Sequence, residues 1–354
     1  MGDSLYDIKL KDLDSAQSVL RSKGIDLITV LAPNKSRFFA EYADELDAKT
    51  EKKYSYYDYL IKNYKKLGIN LIDFNKWFLD MKNTSKYPLF PKQGVHWSYY
   101  GAALVVDSMI HYLEITHNKK MNEFSYSLEL TDSVRGTDYD LGDLMNLFIK
   151  MKPFKMAYPK FTFSNSTESW KPRILVIGDS FYWTIYNWGI LGKLCAKDSY
   201  WYYSTTIYPG EGSVQDLDLQ KEVFNYDIIL LLQSEPGYCN PGYYFVDNLV
   251  SKMTDEKKYA DEFNAKIRNV KSWLARMQEK SRVQNNDINL IISQMADSLA
   301  KIKSKRLFEI IHQMRSDQEW LHTISEKSKA QNISLDEMMK IDALWLYEQE
   351  NPVK

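Results

Sequence analysis

The segment Ile174-Leu175-Val176-Ile177-Gly178-Asp179-Ser180-Phe181 carries the strongest structural signal in this chain. Its four apolar residues are typical of a buried parallel strand, and the serine follows in the turn at the carboxyl end of that strand. Open α/β sheets bind ligands at this edge. Ser180 is therefore a candidate nucleophile, although a strand followed by an Asp/Ser helix cap would have the same sequence.

A nucleophilic serine needs a base, and one of the five histidines stands apart from the others. His96 lies in residues 90–101, a segment rich in Pro, Gly and aromatic residues just before an apolar helical pattern. A loop histidine at the edge of an element is typical of general-base chemistry. The structural alternative is an imidazole that packs against Trp97. His96 is the candidate base.

The rest of the chain predicts an α/β fold with a helical C-terminal region. Apolar, β-branched segments alternate with helical patterns, which favours a parallel doubly wound sheet. The strands are expected at 25–31, 69–72, 173–177, 200–206 and 226–232. Residues 115–171 form a long connection inside an α/β domain that spans 1–253. Residues 254–354 carry helical spacing of apolar residues and are predicted to be a separate helical region.

Two motifs together resemble a known family. His96-Trp97-Ser98 upstream and Gly178-Asp179-Ser180-Phe181 downstream resemble the SGNH-hydrolase-like proteins of the alginate O-acetyltransferase type. By order of elements the resemblance covers roughly residues 10–250. It includes the strand that runs into Ala32-Pro33-Asn34-Lys35, and also residues 140–144. It implies a flavodoxin-like three-layer sandwich, with Ser180 as nucleophile and His96 as base.

The sequence departs from the family pattern at the acid, which should stand two residues before the histidine. That position is Gly94. Another carboxylate could orient His96, and Glu235 is the first candidate because it follows a predicted strand. A backbone carbonyl could do so instead, or the protein could bind sugar without turning it over. Asp179 adjoins the serine and is expected to serve the turn itself.

Two further loops are expected beside Ser180 at the carboxyl edge. In SGNH enzymes such loops supply a glycine N–H and an amide to the oxyanion hole. The resemblance thus makes Gly210, Gly212 and Gln233 candidates, with ordinary turn chemistry as the alternative. Trp97 and Tyr238 are candidate substrate-binding residues, because flat aromatic rings can cover the apolar face of a sugar. The alternative for both rings is a place in the core.

Composition sets the remaining expectations. The net charge of −1 gives no indication of nucleic acid as a partner. Two cysteines do not make a disulfide framework. The sequence has neither metal-ligand spacing nor a phosphate-binding glycine loop, so no cofactor is expected. Met1-Gly2 suggests that a native leader or anchor was trimmed, which predicts an extracytoplasmic protein of the periplasm or cell envelope.

The resemblance implies acyl transfer, most simply of acetyl, to or from a cell-envelope or exported polysaccharide. A membrane-bound acyl-donor protein is then a candidate partner. The alternative is a weakly active or inactive carbohydrate-binding or scaffold protein of an exopolysaccharide modification or export complex. A transferase and an esterase would use the same catalytic residues, so the sequence is compatible with both activities.

Overall fold

The computed structural model divides into two compact units, Met1–Val246 and Asp247–Lys354. The residues that the structure describes are 3–42, 55–146, 148–149, 151–164, 168–210, 212–217, 219–253, 256–333 and 335–351.

The first unit is organised around a mostly parallel sheet of seven strands. The strands of the chain are β1 (Asp26–Leu31), β2 (Leu71–Asp73), β3 (Phe124–Thr131), β4 (Met156–Phe163), β5 (Arg173–Gly178), β6 (Lys197–Tyr202), β7 (Thr206–Tyr208), β8 (Gly212–Ser213) and β9 (Ile228–Gln233). The large sheet has the order β2-β1-β9-β5-β6-β7-β8. Its first five strands are parallel, so the carboxyl ends of β1, β9, β5 and β6 meet at one edge.

Helices lie before, between and after these strands along the chain. They are α1 (Asp3–Ser22), α2 (Lys35–Phe38), α3 (Tyr56–Leu67), α4 (Phe74–Met81), α5 (Tyr99–His117), α6 (Asp140–Leu144), α7 (Trp183–Trp188), α8 (Ile190–Leu194), α9 (Leu219–Val223) and α10 (Tyr243–Met253). Ile174 and Val176 of β5 are fully buried and share one core with Val105 and Val106 of α5. Burying each such side chain contributes about 1.5–3 kcal/mol.

The long connection between α5 and β5 has structure of its own. It contains β3 and β4, which form a separate two-stranded antiparallel sheet with Phe124 opposite Phe163. The two strands alternate in exposure along much of their length, as one-sided strands do. After β3 the chain makes a 3₁₀ turn at Gly136–Tyr139 and enters α6.

One expected strand is wrong in its extent. Residues 200–206 do not form one strand, because β6 ends at Tyr202 and the chain turns at Tyr203 and Ser204, which have φ of +49° and +58°. β7 then returns antiparallel to β6, with Thr206 opposite Tyr202 and Tyr208 opposite Tyr200. The loop after β7 therefore points away from the carboxyl edge.

The second unit is helical over most of its described residues. Its helices are α11 (Glu256–Asn269), α12 (Lys271–Gln284), α13 (Ile288–Ser316), α14 (Gln318–Gln331) and α15 (Leu335–Glu350). Asp287 and Asp317 cap α13 and α14 by accepting backbone N–H bonds. The mostly parallel sheet and the helical C-terminal region confirm the predicted fold class. None of the described helices is long and apolar enough to cross a membrane.

Candidate active site

Ser180 lies at the carboxyl edge of the sheet, directly after β5. Asp179 begins the short turn by accepting a hydrogen bond from the Phe181 N–H at 3.0 Å. Gly178 allows the neighbouring strand to come close, because a Cβ there would be 3.1 Å from the Leu232 carbonyl oxygen. The serine is thus presented between β9 and β6, where parallel sheets place their ligands.

His96 reaches this serine from the loop that precedes α5. Ser98 fixes the loop, since its N–H donates to the Leu89 carbonyl at 2.9 Å and its hydroxyl to the Pro88 carbonyl at 2.7 Å. The same hydroxyl caps α5 by accepting from the Gly101 N–H. The imidazole Nε2 lies 2.9 Å from Ser180 Oγ. The two motifs therefore meet within hydrogen-bonding distance, as their order in the sequence predicts.

A carboxylate lies on the other side of the imidazole. One oxygen of Asp140 is 2.8 Å from His96 Nδ1. Its other oxygen accepts the N–H groups of Val95 at 2.9 Å and Leu141 at 2.7 Å. Burial raises the pKa of Asp140, but hydrogen bonds from His96 and Val95 outweigh it and hold the pKa below its usual value. A carboxylate here fixes the proton on Nδ1 and leaves Nε2 free to accept the serine proton.

The expectation that Glu235 orients His96 is therefore corrected: Asp140 holds that place. Glu235 lies in the turn after β9, where burial raises its pKa and Arg37 opposes the rise. Residues 140–144 belong to the family resemblance, but nothing in their sequence marks Asp140 as an acid. It lies 44 positions after His96, in the connection that carries β3 and β4.

Gly94 explains why no acid stands two residues before the histidine. A Cβ on Gly94 would lie 2.2 Å from the Thr137 carbonyl oxygen and 2.7 Å from Pro91 Cγ. The backbone at 94 packs directly on the segment that supplies Asp140 three residues later. Position 94 has no room for a side chain, and the carboxylate comes from the segment that fills that room.

Asp179 serves the turn, as expected. Its side chain is buried and accepts from the Ser234 N–H at 2.7 Å, the Ser234 hydroxyl at 2.6 Å and the Tyr243 hydroxyl at 3.1 Å. The Tyr200 hydroxyl donates to the Asp179 carbonyl oxygen at 2.7 Å. These bonds tie the serine turn to the loop after β9 and to β6.

Two expected oxyanion glycines lie elsewhere. Gly212 in β8 pairs with Ile207, which pairs with Trp201, which pairs with Ile177 in β5. Three strand spacings of about 4.8 Å put Gly212 roughly 14 Å from β5. Gly210 has a φ of +109° and lies in the turn between β7 and β8, toward the amino ends of the parallel strands.

Gln233, the third oxyanion candidate, holds its own loop. Its Nε2 donates to the carbonyls of Gly237 at 3.2 Å and Asn240 at 3.1 Å, while its Oε1 accepts the Gly242 N–H at 3.1 Å. The side chain is 1% exposed. Its polar atoms are thus occupied by the backbone of the loop after β9.

The two aromatic candidates for sugar contact are core residues. Trp97 is fully buried and packs edge-on against Phe181, with ring centroids 5.3 Å apart. Tyr238 is also fully buried, and its hydroxyl donates to the Ala32 carbonyl at 2.9 Å. Neither ring is available to stack on a sugar, so the structural alternative applies to both.

Tyr203 is a neighbour of Ser180 that sequence reasoning missed. It follows β6 and is 43% exposed. Burial raises the pKa of its phenol, and an interaction with the Ser180 side chain opposes this rise. Its positive φ and that of Ser204 belong to the tight turn between β6 and β7, in which the Thr205 N–H donates to the Tyr202 carbonyl at 3.0 Å. The strand-like sequence of residues 200–206 gives no sign of this turn.

The described residues contain no group of three His, Cys, Asp or Glu side chains that could hold a metal ion. Cys195 and Cys239 are free thiols. The polar groups that converge at the carboxyl edge are thus a hydroxyl, an imidazole and a carboxylate in one hydrogen-bonded series. On a mostly parallel sheet, this arrangement is that of a Ser-His-Asp hydrolase or acyltransferase site.

The family follows from the sequence. The family described as "SGNH hydrolase-like domain, acetyltransferase AlgX" matches residues 6–197, which is more than half of the chain. The chain therefore belongs to this family. None of the curated proteins matches the chain.

Three solved structures are similar to the chain at low identity. The O-acetyltransferase domain of Pseudomonas putida AlgJ has 10% identity and a TM-score of 0.45, with 68% of this chain and 86% of that one covered. Pseudomonas aeruginosa AlgX has 14% identity and a TM-score of 0.46, with 68% and 61% covered. Bacillus cereus PatB1, in a structure with a sulfonyl adduct, has 10% identity and a TM-score of 0.45, with 66% and 88% covered.

Proposed function

We propose that this protein transfers an acetyl group to a cell-envelope or exported polysaccharide, or removes one from it, through Ser180, His96 and Asp140. The hydrogen-bonded series from the Ser180 hydroxyl through the His96 imidazole to the Asp140 carboxylate carries this proposal. Membership of an acetyltransferase family supports the acyl group. In this proposal, Asp140 replaces the acid that the family places two residues before the histidine.

The reaction has two halves. His96 Nε2 takes the proton of Ser180 Oγ while Oγ attacks the acetyl carbonyl carbon, and Asp140 stabilises the imidazolium. The imidazolium then gives its proton to the leaving alcohol, and the acetyl-serine ester remains. In the second half His96 deprotonates a sugar hydroxyl or a water, which attacks the acetyl carbon. Ser180 Oγ leaves with the proton from His96, and the enzyme returns to its starting state.

Two donors near the serine are suited to the negative charge that develops on the carbonyl oxygen. The Ser180 backbone N–H has no hydrogen-bond partner among the described residues. Tyr203 lies beside the serine turn, because its N–H donates to the Gly178 carbonyl at 2.9 Å, and Ser180 lowers the pKa of its phenol. Donors fixed in advance at such a position stabilise the tetrahedral intermediate without reorganisation. They take the role for which Gly210, Gly212 and Gln233 were candidates.

The polysaccharide acceptor, the extracytoplasmic location and a membrane-bound acyl-donor protein as partner belong to the same proposal. They rest on the family resemblance.

Turnover of p-nitrophenyl acetate tests the acyl chemistry. We expect wild-type protein to release p-nitrophenol, and Ser180→Ala and His96→Ala to lose nearly all of this activity while keeping the thermal melting midpoint. Mass spectrometry of the protein stopped during turnover should find one acetyl group on the peptide that contains Ser180. Adding acetyl-free glycan oligosaccharides then separates transferase from esterase by the appearance of acetylated sugar.

A non-catalytic sugar-binding protein is the outcome that would replace this proposal. In the sequence, this alternative rests on the missing acid at Gly94. The contact between Asp140 and His96 supplies an acid from another segment and so supports the enzymatic proposal. Wild-type protein without acetyl-serine formation, but with measurable binding to a glycan, would favour it.

A further inference from the structure

Lys35 contacts the backbone of the loop that carries His96, although this lysine lies far from the loop in the sequence. It begins α2, which follows β1 at the carboxyl edge of the sheet. Its ammonium donates to the carbonyl oxygens of Pro91 at 2.8 Å and Lys92 at 3.0 Å, and also to that of Gly94. Three donors and three acceptors match, so the ammonium is fully used by backbone carbonyls.

One peptide group joins this lysine to the acid. The carbonyl of the peptide between Gly94 and Val95 accepts from Lys35, and the N–H of the same peptide donates to Asp140 at 2.9 Å. A peptide group is planar, so fixing its carbonyl direction also fixes its N–H direction. A cation on the carbonyl also strengthens the N–H as a donor, because hydrogen bonds in series polarise one another.

The charges around this arrangement agree with it. Burial lowers the pKa of Lys35, and the Asp140 carboxylate opposes that effect, so the ammonium and the carboxylate interact across the peptide. The ammonium therefore offsets charge on the carboxylate that orients His96.

We infer that Lys35 is a positioning residue of the active site: by holding the Gly94–Val95 peptide, it aims the Val95 N–H at Asp140 and sets where Asp140 meets His96. This inference rests on the proposed function for its kinetic test. The Lys35 ammonium is occupied by backbone carbonyls and is not one of the reacting groups. It is the element that lets an acid from the α6 segment serve a histidine whose own loop has none.

The test compares Lys35→Met with Lys92→Met, which removes an exposed lysine from the same loop. We expect Lys35→Met to lower kcat for p-nitrophenyl acetate on the order of 10- to 100-fold with little change in KM, because small displacements of a catalytic group are that costly. Lys92→Met should remain at the wild-type rate. Lys35→Arg, which keeps a cation with several donors, should recover part of the loss.

A double-mutant cycle separates positioning from plain stability. If Lys35 acts through Asp140, Lys35→Met should cost little further rate in an Asp140→Asn background. An equal loss in both backgrounds, or an unchanged kcat in Lys35→Met, would overturn the inference. Should Lys35→Met fail to fold, Lys35→Gln takes its place, since an amide can still donate to two of the three carbonyls.

A spectroscopic signal tests Lys35 without any turnover. The proton between His96 Nδ1 and Asp140 should give a low-field NMR resonance that is absent from Asp140→Asn. We expect this resonance to move or disappear in Lys35→Met and to persist in Lys92→Met. If wild-type protein shows this resonance but no ester turnover, the proposed function is rejected. The comparison of the resonance in Lys35→Met and Lys92→Met then still decides the role of Lys35. An unchanged resonance in Lys35→Met would reject the role of Lys35.

Discussion

Gly94 packs against Thr137 so closely that a Cβ at position 94 would lie 2.2 Å from the Thr137 carbonyl oxygen. Three residues after Thr137, Asp140 reaches His96. The contact that excludes a side chain at 94 is thus part of the arrangement that delivers the carboxylate. The position where the family has its acid is Gly94, whereas the carboxylate that contacts His96 in this chain is Asp140. The two residues lie on two segments that contact each other.

Restoring the family residue with Gly94→Asp should harm the protein. The new side chain would meet backbone atoms of Thr137 and Asp138, which cannot move aside as a flexible side chain could. We expect a loss of about 1–3 kcal/mol in the free energy of unfolding. Turnover should fall as well, because the segment that carries Asp140 is pushed away. Chemical denaturation and the ester assay measure the two effects.

Gly192→Ala is the matched control for this change. A Cβ at Gly192 would meet only Asp198 Oδ1 at 3.5 Å, which is an ordinary contact. Its stability should stay equal to that of wild type or rise slightly, since alanine favours a helix. A stable, fully active Gly94→Asp would show that the contact with Thr137 is not as tight as the structure has it.

Asp140→Asn should remove most of the activity with little effect on KM. The amide keeps the shape of the carboxylate but cannot hold the Nδ1 proton or stabilise the imidazolium, and the analogous change in a serine protease costs about 10⁴ in kcat. Glu235→Gln is the control, because it changes a carboxylate that does not contact His96 Nδ1. Steady-state kinetics decide between the two carboxylates. A larger loss in Glu235→Gln would reverse the assignment.

The serine and the histidine could be predicted from sequence because each stands in a local pattern. A buried strand before Ser180 and a loop before a helix at His96 place both at the ends of elements, and the topology then brings the ends together. Asp140 could not be predicted in this way. It approaches His96 through a backbone contact between two loops, and no periodic pattern reports such a contact.

The two oxyanion glycines, Gly210 and Gly212, lie elsewhere for a different reason. Residues 200–206 are aromatic and β-branched, so their composition favours one strand across the turn that the structure makes at Tyr203 and Ser204. A single strand over these residues would direct Gly210 and Gly212 to the carboxyl edge and would bury Tyr203 within the strand. The turn instead sends β7 back toward the amino ends of the parallel strands and leaves Tyr203 beside the serine turn.

Asp138 should make stability depend on pH. Its side chain is fully buried. Neither of its carboxylate oxygens accepts a hydrogen bond of normal geometry from the residues that the structure describes. Burial raises its pKa to about 7, which Tyr158 opposes only in part. The unfolded carboxyl titrates near 3.9. The contribution of Asp138 to the free energy of unfolding is therefore fully present below about pH 4. It decreases as the pH rises toward 7, by up to about 1.4 kcal/mol per pH unit.

Asp138→Asn isolates this effect. The amide cannot ionise, so the difference in unfolding free energy between variant and wild type should change steadily between about pH 4 and pH 7 and then level off. Urea denaturation at several pH values measures it. A constant difference across this range would mean that Asp138 keeps an ordinary pKa in the folded protein.

Tyr203→Phe tests the last element of the proposed site. The change keeps the ring, which packs on Tyr202 and Tyr243 at centroid distances of 4.6 and 5.8 Å, and removes only the hydroxyl near Ser180. If that hydroxyl donates to the oxyanion, kcat for p-nitrophenyl acetate should fall by about 10²–10³ with an unchanged melting midpoint. Tyr208→Phe is the control, because it removes a hydroxyl from β7, which returns toward the amino ends of the parallel strands.

A phenyl sulfonyl fluoride should still label Ser180 in Tyr203→Phe, more slowly than in wild type, since His96 and Asp140 remain in place to activate the serine. Equal turnover in Tyr203→Phe and wild type would leave the Ser180 backbone N–H as the donor that the proposal retains.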